Sequence, residues 1–238
     1  AEALNASLSR GTMACLVGDN GVGKSTLMRT LSGFQPALKG EVHIDEKNIE
    51  EYSPRELSER VGVVLTERDT TPDLTVEEVV AIGRMPYTNF WGRLTKADRQ
   101  AVEEAITLVG IEPLRQKKIG RVSDGERQKV MIAKALAQQT GIILLDEPTA
   151  FLDYGSKVSM MRLLRRLAHE QGKAILLSTH DLEIAFQTTD EVWVLQHDGL
   201  QTGTLDALEQ RGVVSSFLAT NGLRYDKNHK RIVVDAEK

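Results

Sequence analysis

The sequence has little cysteine, few aromatic residues and no surplus of positive charge. Its 238 residues include one cysteine, 5% aromatic residues and a formal net charge of -4. The single thiol, Cys15, cannot form a disulfide within the chain, and its apolar surroundings favour a buried site in a reducing, intracellular compartment. Without extra Lys and Arg to neutralise phosphates, we expect no general binding to nucleic acid.

Long apolar runs are also missing. No segment reaches the roughly 18 to 20 apolar residues that cross a bilayer, and residues 1–11 lack the apolar core of a secretion signal. We therefore expect any membrane contact to go through another protein. The chain starts at Ala1 shortly before a core strand, so we expect native residues to precede it. With 41% hydrophobic residues, the chain can bury one sizeable core.

Short apolar runs alternate with helical patterns, which is typical of a mainly parallel sheet flanked by helices. Alternating polarity in residues 40–49 predicts an antiparallel strand beside that sheet. Helical spacing predicts a helix over residues 156–171. The predicted strands of the main sheet are 13–17, 61–65, 142–145, 174–178 and 192–195.

The chain is predicted to be one α/β domain, 1–238, with an inserted helical subdomain at 72–137. Within the insertion, Thr75 begins one helix, and Thr95 with Asp98 forms a variant capping box for another. Residues 199–238 are predicted to form a small C-terminal extension. It would contain a turn after Gly199, then a helix and two short strands at 206–211, 224–226 and 231–234.

A glycine-rich segment, residues 18–26 (GDNGVGKST), lies between an apolar strand and a helix, which is the setting of a phosphate-binding P-loop. Its glycines let backbone N–H groups point at phosphates, and the helix N-terminus adds positive partial charge. Lys24 would reach the β- and γ-phosphates, and Ser25 would ligate Mg²⁺. The alternative is a glycine turn with a solvated lysine. The candidate ATP-binding residues are Gly18, Asn20, Gly21, Gly23, Lys24, Ser25 and Thr26.

Two acids end the apolar strand at 142–145. Asp146 and Glu147 are adjacent in sequence, so their side chains point in different directions. Asp146 fits the Mg²⁺ shell, and Glu147 is placed to polarise the attacking water. Alone, the pattern also fits a solvated strand end. Together with the P-loop, it predicts an ATPase centre.

Residues 122–128 (VSDGERQ) precede an apolar-periodic helix, and they resemble the signature sequence of the ABC ATPase family. The resemblance implies a P-loop NTPase fold and a homodimer in which the signature of one subunit caps the ATP bound by the other. Ser123, Gly125 and Glu126 would then contact ATP across the dimer interface.

Two further segments are similar to family landmarks. Residues 150–153 (AFLD) resemble the D-loop of the family. The resemblance implies that Asp153 lies at the subunit interface. Residues 179–181 (THD) resemble the switch region, in which His180 contacts the γ-phosphate and holds Glu147 and the water. The resemblance thus implies that Lys24, Glu147 and His180 act in catalysis.

The sequence departs from the family pattern in three places. Asp124 replaces a signature glycine and brings a carboxylate towards an anionic ligand. The loop after the strand at 61–65 usually supplies a glutamine. Here Glu67 is the candidate metal-binding residue, and Thr66 is the alternative one position away. No aromatic residue before Met13 is a candidate for stacking on adenine.

Residues 74–87 (LTVEEVVAIGRMPY) look like the helical subdomain of ATPases that power bacterial importers of iron-siderophores, haem and cobalamin. The resemblance implies integral membrane permease subunits as partners, a substrate-binding protein as an indirect one, and a peripheral location at the cytoplasmic face of the inner membrane. Tyr87, Phe90 and Trp91 either line the groove for the permease or fill the subdomain core. Two other functions remain open: a soluble ABC ATPase acting on DNA or ribosomes, and a weakly catalytic nucleotide-binding regulator.

Overall fold

Strand β1 (Met13–Gly18) runs through the middle of the main sheet and is buried along its whole length. The computed structural model describes residues 4–65, 72–89, 91–220, 222–226, 229 and 231–234. Alternate side chains of β1 enter two apolar clusters, one on each face of the sheet. Because both faces are covered, the strand is apolar throughout rather than alternating.

The remaining elements follow in chain order. The other strands are β2 (His43–Ile44), β3 (Lys47–Asn48), β4 (Val61–Val64), β5 (Ile142–Asp146), β6 (Ala174–Ser178), β7 (Glu191–Gln196), β8 (Gly199–Gly203), β9 (Leu223–Asp226) and β10 (Arg231–Val234). The α-helices are α1 (Lys24–Leu31), α2 (Pro54–Ser58), α3 (Val76–Ile82), α4 (Lys96–Val109), α5 (Asp124–Ala137), α6 (Tyr154–Gln171), α7 (Leu182–Thr188), α8 (Leu205–Gln210) and α9 (Val213–Thr220).

The main sheet has the strand order β4-β5-β6-β1-β7-β8 in the described part of the chain. Its first five strands are parallel, and β8 is antiparallel to β7. The predicted α/β fold with a mainly parallel sheet is therefore confirmed. The turn predicted after Gly199 was wrong, because residues 199–203 form strand β8. Gly199 and Gly203 stand at the two ends of this edge strand, and glycines there hide the strand pattern in the sequence.

Residues 40–49 are antiparallel, as predicted, but they contain two short strands instead of one. The segment folds back on itself as the hairpin β2–β3, which forms a sheet of its own. Asp45 and Glu46 turn the chain with φ of 49° and 69°. Such a turn normally contains Asn or Gly, so its sequence signal is absent here.

Helices α3, α4 and α5 occupy the chain between β4 and β5 and pack on one another. A Cβ on Gly83, at the end of α3, would lie 2.2 Å from the Lys134 carbonyl oxygen of α5, so glycine permits this close approach. Thr95 and Asp98 form the predicted capping box of α4.

A buried ion pair joins these helices to the sheet. Arg84 Nε donates to Asp98 Oδ1 at 2.9 Å, and both side chains are buried. Arg84 Nη1 also donates to the Ala137 carbonyl at 2.8 Å, at the end of α5. Gln138 Nε2 next donates to the Val61 carbonyl of β4 at 3.2 Å. This chain of bonds fixes the helices against the sheet edge.

Helix α9 follows α8 and was not predicted, while the strands predicted at 224–226 and 231–234 pair as the antiparallel hairpin β9–β10. Among the described residues, no helix combines the length and the apolar character required to cross a membrane.

Candidate active site

The glycine-rich loop turns sharply between β1 and α1. Gly21 and Gly23 have φ of 79° and 109°, which side chains other than glycine rarely adopt. A Cβ on Gly18 would lie 2.4 Å from the Leu195 carbonyl oxygen, so Gly18 is required by close packing against β7. Beyond the loop, the side chains of Ser25 and Thr26 are exposed in the first turn of α1.

Lys24 folds back over this loop. Its Nζ donates to the carbonyls of Gly18 at 2.8 Å and Asp19 at 3.1 Å, and only 8% of the residue is exposed. Burial lowers the pKa of Lys24, and the carboxylates of Glu147 and Asp146 oppose this shift. The lysine is therefore near both acids, and the two carbonyls hold its ammonium group.

The two acids lie where β5 ends, beside the end of β6. Asp146 is paired in register with Ser178, whose Oγ donates to Asp146 Oδ1 at 2.5 Å. The backbone N–H of Glu147 donates to the same Oγ at 3.0 Å. The Glu147 backbone is left-handed, with φ of 53°, so its side chain leaves the direction of the strand.

The side chain of Glu147 faces His180. Their Oε1 and Nε2 atoms are 3.3 Å apart, but no hydrogen bond to this Oε1 is found among the described residues, although the atom is buried. Burial raises the pKa of Glu147, Asp146 raises it further, and His180 and Lys24 oppose the shift. A buried carboxylate oxygen with spare acceptor capacity suits a group that receives a proton.

Asp181 anchors the segment that carries His180. Its carboxylate accepts from Lys157 Nζ at 2.9 Å and from Thr149 Oγ1 at 3.2 Å. The Asp181 N–H donates to Thr179 Oγ1 at 3.0 Å. The His180 side chain is 56% exposed, so its backbone is held while its ring faces solvent.

The segment at 122–128 begins helix α5. Ser123 Oγ accepts from the Glu126 N–H at 3.2 Å, and the Glu126 carboxylate accepts from the Ser123 N–H at 2.8 Å. These bonds form a capping box. A Cβ on Gly125 would lie 3.0 Å from the Phe151 carbonyl oxygen, so α5 starts against the loop before α6. Asp124 is exposed in the first turn, where a negative charge is favourable.

The structure brings Gly18, Lys24, Asp146, Glu147 and His180 together at the carboxyl ends of parallel strands. The bonds of the capping box at Ser123 and Glu126 stay within that box and do not reach the loop at 18–26. Thr66 and Glu67 lie outside the described residues, so their assignment stays a prediction.

Sequence reasoning gave no role to Ser178, and it included Asp181 in the switch segment without a role of its own. Ser178 ends an apolar strand, where a serine has no distinctive pattern, and its role depends on register with β5. Asp181 follows His180 directly, so its position was a usable signal. Asp153, assigned to a subunit interface by resemblance, caps α6 by accepting from the Ser156 N–H at 3.0 Å.

A buried lysine on a glycine loop, two acids at the end of β5 and a histidine beside the second acid define a P-loop nucleotide hydrolase. The family model of the ABC transporter matches residues 1–150. The chain therefore belongs to the ABC transporter family, as an ATP-binding subunit that couples ATP hydrolysis to transport.

Three relatives illustrate this membership. The iron(3+)-hydroxamate import ATP-binding protein of Bacillus subtilis is 34% identical over 98% of this chain and 92% of its own length. The ferric enterobactin transport ATP-binding protein of Escherichia coli is 38% identical over 78% of this chain and 68% of its own. The hemin import ATP-binding protein of Rhodococcus jostii is 38% identical over 78% and 63%, respectively.

Solved structures give the same class. A dimeric bacterial ABC transporter cassette is 27% identical, with a TM-score of 0.76 over 85% of this chain and 89% of that one. The post-hydrolysis state of the same cassette, bound to ADP and phosphate, is 28% identical with a TM-score of 0.74 over the same shares of both chains. The expected fold and ATPase class are confirmed.

Proposed function

We propose that this chain powers a bacterial importer of iron-siderophore, haem or cobalamin. The import proteins for siderophores, hemin and cobalamin that it resembles support this class of cargo. The chain would act as a homodimer attached to integral membrane permease subunits at the cytoplasmic face of the inner membrane. It would meet the substrate-binding protein only indirectly, through the permease.

The observation that carries the proposal is the meeting of Lys24, Asp146, Glu147 and His180 at the ends of β1, β5 and β6. Lys24 would bind the β- and γ-phosphates, because its bonds to the Gly18 and Asp19 carbonyls hold the ammonium group at the glycine-rich loop. Glu147 would accept a proton from the attacking water. His180 would contact the γ-phosphate and hold Glu147 in place. General-base assistance of this kind contributes about 10² to 10⁴ in rate.

The site also suits Mg²⁺. The exposed Ser25 hydroxyl and the Asp146 carboxylate are hard oxygen ligands, and Mg²⁺ takes one or two such groups together with phosphates and waters. Glu67 remains a proposed third ligand. When bound, Mg²⁺ would neutralise phosphate charge.

The remaining ATP contacts would come from a second copy. Ser123, Gly125 and Glu126 begin α5, whose N-terminus carries positive partial charge suited to a phosphate. Near them, Phe151 and Tyr154 are 70% and 68% exposed. Burial of these aromatic side chains would favour a dimer. ATP would shift the equilibrium towards the closed dimer because only that state completes its contacts.

The permease would bind the exposed apolar side chains beside the sheet edge. Trp91 is 78% exposed and Met85 is 65% exposed, so neither fills a core. Tyr87 is half-buried, and its Oη donates to the Gln138 carbonyl at 2.9 Å, so it supports this surface. Gln138 also lines a cavity of about 760 Å³, beside which Phe34 is 63% exposed. Phe90 lies outside the described residues.

A pull-down from native membranes tests the proposal. The tagged chain is expected to recover an import permease, and Trp91→Ala is expected to recover much less while retaining ATP turnover. Val234→Ala, which alters an exposed apolar residue elsewhere, serves as the matched control. Recovery of ribosomes or DNA without a permease would instead support the soluble ATPase.

A further inference from the structure

Ser178 lies beneath both acids of the site and is fully buried. Its hydroxyl donates to Asp146 Oδ1 at 2.5 Å and accepts from the Glu147 N–H at 3.0 Å. A serine hydroxyl has one donor and two acceptor lone pairs, so it makes both bonds at once. A single oxygen atom therefore sets the side chain of one acid and the backbone of the next.

The second of these bonds holds an unfavourable backbone. Glu147 has φ of 53°, which is uncommon for a residue with a side chain, and Pro148 after it restricts its conformation further. The Glu147 carbonyl also accepts from the Ala150 N–H at 3.0 Å and from Gln128 Nε2 at 3.5 Å. The Ala150 bond closes the local turn, whereas the bond of the Glu147 N–H to Ser178 ties this backbone to the neighbouring strand β6.

We propose that Ser178 is a positioning residue for ATP hydrolysis, whose hydroxyl fixes Asp146 and the Glu147 backbone relative to each other. The inference rests on the proposed roles of these two acids. Without the hydroxyl, the Glu147 N–H loses its partner and the backbone can relax, which carries the side chain away from His180. ATP binding through the loop at 18–26 does not depend on this bond, so the effect falls on turnover.

Two variants of the full chain test the inference. Ser178→Ala removes the hydroxyl, and Ser178→Cys keeps a similar shape with a much weaker donor and acceptor. Each is expected to lower kcat by roughly tenfold to a hundredfold, because small displacements of reacting groups have effects of this size, with KM for ATP little changed. Thermal unfolding checks that each variant is folded, and the cysteine variant carries the test if the alanine variant unfolds.

Thr140→Val is the matched control. Thr140 is 1% exposed, and its Oγ1 donates to the Ile142 carbonyl at 2.8 Å, at the opposite end of β5. The Thr140→Val substitution removes a buried hydroxyl far from the acids, so kcat is expected to stay near wild type. An equal loss in this control, or a folded Ser178→Cys variant with wild-type kcat, overturns the inference. A raised KM with normal kcat does so as well.

Combination with Glu147→Gln gives a second measurement. If Ser178 acts through the acids, the two losses in kcat are expected to combine to much less than their product, as occurs for residues that act as a unit. Fully multiplicative losses overturn the inference. Normal turnover in the Glu147→Gln variant would refute the role of Glu147 as general base. If Glu147→Gln is slow but Ser178→Ala turns over normally, only the role of Ser178 is refuted.

Discussion

Replacement of Glu147 by glutamine separates the chemistry of the site from its binding. The amide has nearly the shape of the carboxylate, and the backbone N–H bond to Ser178 is unaffected. The amide of the variant could not accept a proton from water, so kcat is expected to fall by about 10² to 10⁴. At 1.36 kcal/mol per tenfold change in rate, this loss equals about 2.7 to 5.4 kcal/mol of barrier.

The folded state should tolerate this change. Burial raises the pKa of Glu147, which means that the protein environment disfavours the charged side chain. A neutral amide avoids that penalty, so the melting temperature is expected to stay the same or to rise. The proposed contacts of Lys24 and the loop at 18–26 to the phosphates would remain, so the variant should bind ATP and accumulate as an ATP-bound dimer.

Phosphate release at saturating ATP and Mg²⁺ measures kcat, and size-exclusion chromatography with ATP detects the dimer. Glu183→Gln, at an exposed position of α7, is the control for the loss of one negative charge. If the folded Glu147→Gln variant hydrolyses ATP within about threefold of wild type, general-base catalysis by Glu147 is refuted.

Three other predictions concern the fold around the site. Arg84→Met removes the ion-pair partner of a buried carboxylate and should cost about 3 to 5 kcal/mol; calorimetry should show a fall in melting temperature of about 2 to 4 °C per kcal/mol. The exposed control Arg55→Met should change stability by less than about 1 kcal/mol. Gly18→Ala places a Cβ 2.4 Å from a β7 carbonyl oxygen, so it should abolish binding of a fluorescent ATP analogue. In the control Gly141→Ala, the nearest contact of the new Cβ is 3.6 Å, and binding should be retained. Burial raises the pKa of Cys15 to about 12, so iodoacetamide should not label the native thiol in mild alkali but should label it after unfolding; rapid labelling of the folded chain would contradict the buried position.

The central strands and the phosphate loop were predictable because their signals are local. Strand β1 is apolar throughout, and the glycines that follow occur where the backbone needs positive φ. Asp146 and Glu147 were likewise marked by their place at the end of an apolar strand. In each case the residues that form the feature are neighbours in sequence.

Features that depend on distant pairing were not predictable. Ser178 acquires its role only through register with Asp146, a residue 32 positions earlier. Arg84 pairs with Asp98, but its bond to the end of α5 spans 53 positions. The hairpin β2–β3 is local, but it was missed for another reason: its turn, Asp45 and Glu46, contains neither Gly nor Asn.

The contact of Gly125 with the Phe151 carbonyl has a mechanical consequence. The start of α5 and the loop before α6 cannot move closer together, because the space between them leaves little room even for a methyl group. In a dimer, pressure from one subunit on this loop of the other would be passed to α5 of that other subunit, the helix proposed to cap the phosphate. The two ATP sites would then respond to each other, and turnover would rise with ATP concentration more steeply than for independent sites.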